Sequence, residues 1–388
     1  MNASPFTTHA VSSKDGTTIG YRQLGQGPGI VVLHGSMSSG YYHLEVAEAL
    51  SDAFTVYLPD RRGRGLSGAY QDGDGIQQEV EDLEAVLART GAQNVFGVSV
   101  GAVIALQAAL AQPAISRLAL YEPLLLPDAA TASAMMARYD QQMAAGKVTA
   151  ALSTAMKGGQ MGSAVMNAMP HWLLSALTRP MANWTPKGDY IAFADLAPAL
   201  HYEGHEIVGM SGSLDMMKDV QADVLLLGGS KSSALIKDAL TRVERAVPST
   251  RRMELPGLNH SAPWNKQVRG NPELVARALR GFFQAAALTP ALNTSCLLPV
   301  AWMPPSTGNR LQLPARPTSA MAHTARTAKR CWQHQRSRAA ITPPVIMSGS
   351  RRRGVRSHGG AGKIFGIGIP FRAIYGIAVP LVCRLMRT

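Results

Sequence analysis

Cysteine is scarce in this chain: three in 388 residues, at positions 296, 331 and 383. That excludes a disulfide-stapled scaffold, and the spacing fits no zinc knuckle. The first 286 residues contain none, so no part of that body depends on an oxidising compartment. No signal peptide is expected, since Met1 to Gly16 has no basic stretch followed by an apolar run. A cytoplasmic body is the expectation. Aromatics are few at 6%, yet hydrophobic residues reach 46%, which excludes disorder along the whole chain.

The sharpest absence is of acid. Residues 287–388 carry 15 Lys and Arg and no Asp or Glu at all. The full chain has 38 basic and 25 acidic side chains, so removing the tail leaves 23 against 25, a body of net charge −2. The overall +13 suggests a polyanion-binding protein, but all of that excess belongs to the tail. Rich in Pro, Ser, Thr and Arg and without sustained periodicity, the tail reads as largely disordered. Its composition is that of a GC-rich gene read out of frame. Ser350 to Gly354 is a basic cluster suited to nucleic acid or anionic lipid; the body offers no such surface. Ile364 to Cys383 is long and apolar enough to consider for a membrane span, but Arg372, Pro370 and Pro380 argue against it. Gly359 to Ile364 lacks the spacing and the hydroxyl of a phosphate loop.

The body alternates short β-rich runs with helical patterns, which predicts a mostly parallel α/β sheet. An opening hairpin turns at Asp15-Gly16, and buried strands follow at Ile30 to Leu33, Phe54 to Leu58, Asn94 to Val98 and Leu118 to Tyr121. Helices are predicted from Gln77 to Ala88 and, apolar all round, from Val100 to Leu110. Between Pro123 and Asp219 the β signal vanishes, and eleven of the eighteen methionines fall there. That segment reads as helices inserted between two strands. The sheet resumes at Val224 to Leu227, with a helix from Ala234 to Val247, a strand from Arg252 to Leu255 and a last amphipathic helix ending near Phe283. The expected division is a core of 1–122 and 220–286, a helical cap of 123–219 inserted after the sixth strand, and a tail of 287–388.

Gly97-Val98-Ser99-Val100-Gly101 places a serine between a strand and a helix with glycines two residues either side. A sharp turn holding a strained serine needs that spacing, because a Cβ at either glycine meets the neighbouring strand or helix. The pentapeptide alone also fits a small-residue packing turn. Two further matches favour chemistry. Leu33-His34-Gly35-Ser36 ends a buried strand where backbone donors are needed; the Ser36 and Val100 amides are the expected oxyanion pair. Leu255 to His260 carries a loop-borne imidazole after the last strand. The other body histidines, His171, His201 and His205 among them, lack such a setting.

Together with Asp60-Arg61-Arg62-Gly63-Arg64-Gly65-Leu66-Ser67, these motifs resemble the capped α/β-hydrolase superfamily over about residues 8–286. The resemblance implies Ser99 as nucleophile and His260 as general base. The Asp60 to Ser67 stretch reads as a chain-turning loop. In many relatives an acid follows the strand that here ends at Leu227, but this chain has Gly228-Gly229-Ser230-Lys231-Ser232-Ser233. The third member is therefore Glu122, at the end of the preceding strand as in some branches, or else Asp238, an acid acting through water, or none. A serine nucleophile argues against the haloalkane dehalogenase and epoxide hydrolase branches. It implies hydrolysis of a small-to-medium apolar ester, lactone or thioester, without metal or other cofactor; the alternatives are carbon–carbon bond hydrolysis or a non-catalytic receptor-like binding protein. The Met-rich cap favours an apolar ligand, and His34, Trp172, Trp184, Tyr190 and Phe193 are the candidate pocket residues.

Overall fold

The structure, a computed structural model, describes residues 5–162, 164–210 and 214–284; the tail expected at 287–388, with its basic cluster and all three cysteines, lies outside them. Eight strands are present: β1 Thr7–Ser12, β2 Thr18–Leu24, β3 Gly29–Leu33, β4 Thr55–Pro59, β5 Asn94–Val98, β6 Arg117–Tyr121, β7 Asp223–Gly229 and β8 Thr250–Leu255. They build one sheet in the order β1-β2-β4-β3-β5-β6-β7-β8. The first two pairings are antiparallel and the rest parallel. The opening hairpin forms because Asp15 accepts from the Thr17 N–H at 2.9 Å and Gly16 takes φ +89°. Central strands β3, β5 and β6 are buried on both faces, which is why they read as continuous apolar runs.

Helices α1 Leu44–Glu48, α2 Ile76–Thr90 and α3 Val100–Ala111 precede β6. Six more lie between β6 and β7: α4 Ala129–Ala144, α5 Val148–Gly158, α6 Ala164–Ala168, α7 His171–Ala182, α8 Phe193–Leu196 and α9 Ala199–Met210. Then come α10 Ala234–Ala246 and α11 Pro272–Gln284. Helix α2 buries Val80, Leu83, Val86 and Leu87 on one stripe and stops at Gly91, whose φ of +68° is the left-handed cap a Cβ would strain. Helix α3 is buried nearly all round beneath the sheet, as its uniform hydrophobicity requires. Two apolar layers result. One packs α2, α3 and α10 on one sheet face, and the other packs α1 and α11 on the opposite face. Among the described residues no helix is long and apolar enough to cross a membrane.

The Asp60 to Ser67 loop does more than turn the chain. Gly63 and Gly65 take φ +78° and +57°, as a turn demands, but three arginines are buried around them. Arg61 meets Glu79 of α2 with Nη2 at 2.6 Å from Oε1 and Glu203 of α9 at 2.8 Å; Arg64 reaches the same Glu203 oxygen at 2.8 Å. Arg62 grips Asp82 of α2 through two 2.7 Å bonds and adds Asp74 and Asp15. Asp60 accepts from Arg22 at 3.0 Å and from the Gly40 N–H at 2.7 Å. Burial opposes the charge on Arg61, yet Glu79, Tyr70, Glu203 and Glu206 outweigh it and hold the guanidinium more basic than usual. Burial and then Glu79 push the Glu206 carboxyl well above the usual range, whereas the nearby Arg64 and Arg61 overcome burial and hold Glu203 below it.

Removing one partner from such a cluster leaves buried charge uncompensated, which costs far more than the pair contributes. Arg61→Ala is expected to lower unfolding stability by about 3–5 kcal/mol in urea denaturation. Glu206→Gln, isosteric with the protonated acid, is expected to change it by less than about 1 kcal/mol. Equal effects from both would contradict the charge assignment.

Candidate active site

Ser99 sits where β5 gives way to α3, with φ +57° and ψ −118°, a backbone region that favours glycine. Its neighbours explain how that turn is tolerated. A Cβ on Gly97 would lie 2.6 Å from the Ala102 Cα, and one on Gly101 would lie 2.4 Å from the Leu33 and His34 carbonyl oxygens. Gly35 approaches from the other side, its notional Cβ 2.8 Å from that of Ser99. Three glycines thus let a strand end, a helix start and the loop after β3 meet at one serine. The Val100 N–H begins α3 and has no carbonyl four residues back to satisfy it. Ser36 lines the same cavity as Ser99 and His260.

Glu122 and His260 come together. His260 Nδ1 is 2.8 Å from Glu122 Oε2, and Glu122 is fully buried while the imidazole is one-fifth exposed. The other carboxylate oxygen, Oε1, accepts from the Gly229 N–H at 2.6 Å and the Ser232 hydroxyl at 2.5 Å. Gly229 and Ser232 each offer the carboxylate a donor, and in the tautomer that carries its hydrogen on Nδ1 His260 offers a third. Glu122 itself has φ +47°, a second departure from the ordinary backbone regions at this centre. Two hydrogen bonds hold the His260 loop: Tyr121 Oη donates to the Asn259 carbonyl at 2.7 Å, and the Lys231 N–H donates to that of Leu258 at 2.9 Å. Gly229 permits that approach, since a Cβ there would sit 2.2 Å from the Leu258 oxygen.

Asp238, the other acid considered, is 61% exposed and pairs with Arg242 at 3.0 Å, one turn along α10. It makes no contact with His260. Two contributors escaped the sequence reading: Gly229 and Ser232, which hold Glu122. The Gly-Gly-Ser-Lys-Ser-Ser run registers there only as a missing acid. Its density of small residues and hydroxyls at a strand end was the available signal, because such a segment supplies donors to a carboxylate arriving from elsewhere.

A cavity of about 1500 Å³ lies over Ser99 and His260, larger than the usual few hundred to 1,000 Å³ of a small-molecule pocket. Six methionines from the segment between β6 and β7 line it (Met135, Met136, Met156, Met161, Met166 and Met181), with Met37 and with Leu124, Leu126, Leu152, Leu200 and Ile207. Trp184 and Phe193 line it as well. Three candidates do not. Trp172 is 73% exposed at the start of α7. Tyr190 packs edge-on against Tyr41 and Tyr42 and accepts a bond from Asn265. His34 is fully buried, held between the Gly35 carbonyl at 2.8 Å and the Arg61 N–H, which donates to Nε2 at 3.0 Å. It therefore ties the loop after β3 to the arginine cluster instead of facing a ligand. Burial, then Arg64 and Arg61, lowers its pKa well below the ordinary value.

The model of a family described as the alpha/beta hydrolase family matches residues 30–278. A solved alpha/beta hydrolase from Sphaerobacter thermophilus superposes with a TM-score of 0.58 at 27% identity, covering 71% of this chain and all of that one. A thermophilic esterase from Thermogutta terrifontis superposes with a TM-score of 0.55 at 16% identity, covering 72% of this chain and 98% of its own; that similarity is one of fold. A cis-3-alkyl-4-alkyloxetan-2-one decarboxylase of Shewanella oneidensis is 34% identical over 86 residues, 21% of this chain and 27% of that protein's length.

Two outcomes follow from the strained and buried groups. Ser99→Gly, which relaxes φ +57°, is expected to raise unfolding stability by about 1 kcal/mol; a loss of stability in denaturant titration would show that the turn is not strained. His43, buried with Nδ1 bonded to the Pro263 carbonyl, has its pKa lowered by burial from 6.5 to about 4. Its stabilising contribution is full above about pH 6.5 and is lost as pH falls through about 4, since the unfolded chain binds the proton first. Thermal melts of wild type are expected to decline over that window, and the slope should be shallower in His43→Gln.

Proposed function

The chain belongs to the alpha/beta hydrolase family, and we propose that within it the chain works as a serine hydrolase on a small-to-medium apolar ester, lactone or thioester. Ser99 Oγ attacks the acyl carbon while His260 Nε2 takes the hydroxyl proton, and the charge that builds on the carbonyl oxygen faces the Ser36 and Val100 amides. His260 then returns the proton to the leaving group, and an activated water releases the acyl group from Ser99. Glu122 keeps the imidazole in the Nδ1–H tautomer and stabilises it once protonated.

The observation that carries this proposal is the 2.8 Å contact between His260 Nδ1 and a buried Glu122 whose second oxygen is itself held by two donors. The ground for a non-catalytic binding protein was the missing acid after β7, and Glu122 supplies an acid at the imidazole. The thioether-lined cavity supports an apolar acyl group, since unbranched side chains can repack around different shapes. The partial relative bears the name of an enzyme for an oxetan-2-one, a strained lactone, which gives lactones a place among the substrates to try.

A fluorophosphonate probe is expected to label the wild type and not Ser99→Ala. With p-nitrophenyl esters and a lactone panel, Glu122→Gln is expected to lower kcat by about 10²–10⁴-fold, while Asp238→Asn stays within about twofold. Unlabelled wild type with no turnover would sink the proposal, and loss of activity with Asp238→Asn alone would move the acid.

A further inference from the structure

The outer face of the cap carries a cluster that the hydrolase centre does not use. His201 and His205 are four residues apart on α9, so their rings stand on the same face, with centroids 4.8 Å apart. Asp140 of α4 faces them. Its Oδ1 lies 2.9 Å from His201 Nδ1, and its Oδ2 lies 3.9 Å from His205 Nε2. One ligand atom from each of the three falls within 4.8 Å of the others. Among the described residues no lysine or arginine forms an ion pair with Asp140, and the two imidazoles are its near partners. None of the three lines the cavity over Ser99.

We propose that Asp140, His201 and His205 chelate a first-row transition dication of the zinc class, cross-linking α4 to α9. The donor set decides the class. Two imidazoles and one carboxylate suit zinc, copper, nickel or cobalt, whereas calcium and magnesium take oxygen ligands. With metal–ligand bonds of about 2.0–2.2 Å, tetrahedral neighbours stand about 3.3 Å apart. The ligand atoms, up to 4.8 Å apart, must therefore close by as much as about 1.5 Å. They can do so by side-chain rotation, being 48%, 57% and 33% exposed for His201, His205 and Asp140. Two helix positions one turn apart are already rigid relative to each other, so only side-chain rotation and the approach of the α4 carboxylate are needed. Water completes the coordination.

The consequence lies on the inner side of the same helices. Met136 and Tyr139 of α4 and Leu200, Gly204 and Ile207 of α9 form one wall of the cavity. The inward face of α9 is fastened to the core by Glu203. A metal on the outward face fastens α9 to α4, so that both partners of the wall are tied. The site acts as a structural clamp on the cap and is independent of the chemistry proposed for Ser99.

Zinc chloride is titrated into the full-length chain and into a His201→Ala/His205→Ala double variant, with calorimetry and thermal melts as readouts. The tail's cysteines and histidines are common to both proteins, so the comparison isolates the cap. The wild type is expected to bind one more zinc than the double variant and to melt about 5 °C higher at saturating metal. Asp140→Asn should weaken that extra site by roughly tenfold or more, and magnesium should leave all melts unchanged. Equal stoichiometry and equal thermal shifts in wild type and double variant would overturn the proposal, leaving a solvated acid beside two exposed imidazoles.

Discussion

The buried Arg61 guanidinium is the joint between three parts of this molecule. It holds Glu79 of α2 and Glu203 of α9, while the backbone N–H of the same residue donates to the ring of His34. His34 in turn fixes the Gly35 turn that presses against Ser99. Buried guanidinium is costly unless surrounded by acceptors, and the acceptors come from segments far apart in sequence. The placing of α9 is therefore coupled to the geometry beside the serine. An apolar interface would permit several sliding arrangements of similar energy, whereas shared carboxylates at 2.6–2.8 Å select one.

The centre around Ser99 shows the same economy on a smaller scale. Positive φ at Ser99 and at Glu122 places both side chains at the ends of neighbouring parallel strands. The strain is tolerated because Gly97, Gly101 and Gly35 carry no Cβ to clash, and because the end of β7 and the turn after it supply donors to the Glu122 oxygen that His260 does not use. The absence of an acid after β7 and the presence of one after β6 are thus two sides of a single arrangement. Small and hydroxylic residues at Gly229 and Ser232 make room for a carboxylate from the adjacent strand and bond to it.

The architecture was open to sequence reading because periodicity and punctuation are local. Continuous apolar runs mark β3, β5, β6 and β7, the stripe of Val80, Leu83, Val86 and Leu87 marks α2, and the loss of β signal after Pro123 marks the inserted helices. Ends moved by a few residues: β8 begins at Thr250, two positions before the apolar pattern, because an edge strand can pair with exposed side chains. The aromatic candidates were only partly legible. Trp184 and Phe193 reach the cavity, while Trp172 points to solvent and Tyr190 packs on Tyr41 and Tyr42. Nothing in a residue's type says which way its helix rotates.

Charge tells the same story from the opposite direction. The chain's lack of acid after residue 286 is a fact of composition, and it separates a neutral body from a basic tail without any structure. Composition also determines that the body holds no thiol, and the motifs carry the resemblance to the family and the strand-turn-helix setting of Ser99. The partners of each charge were decided only in three dimensions. Glu122 rather than Asp238 meets His260, and Arg61 joins Glu203 across 142 residues. Hydrogen bonds are short-ranged and directional, so they depend on which distant segments the packed sheet brings within about 3 Å. Such proximity is a property of the fold as a whole, and no window of sequence contains it.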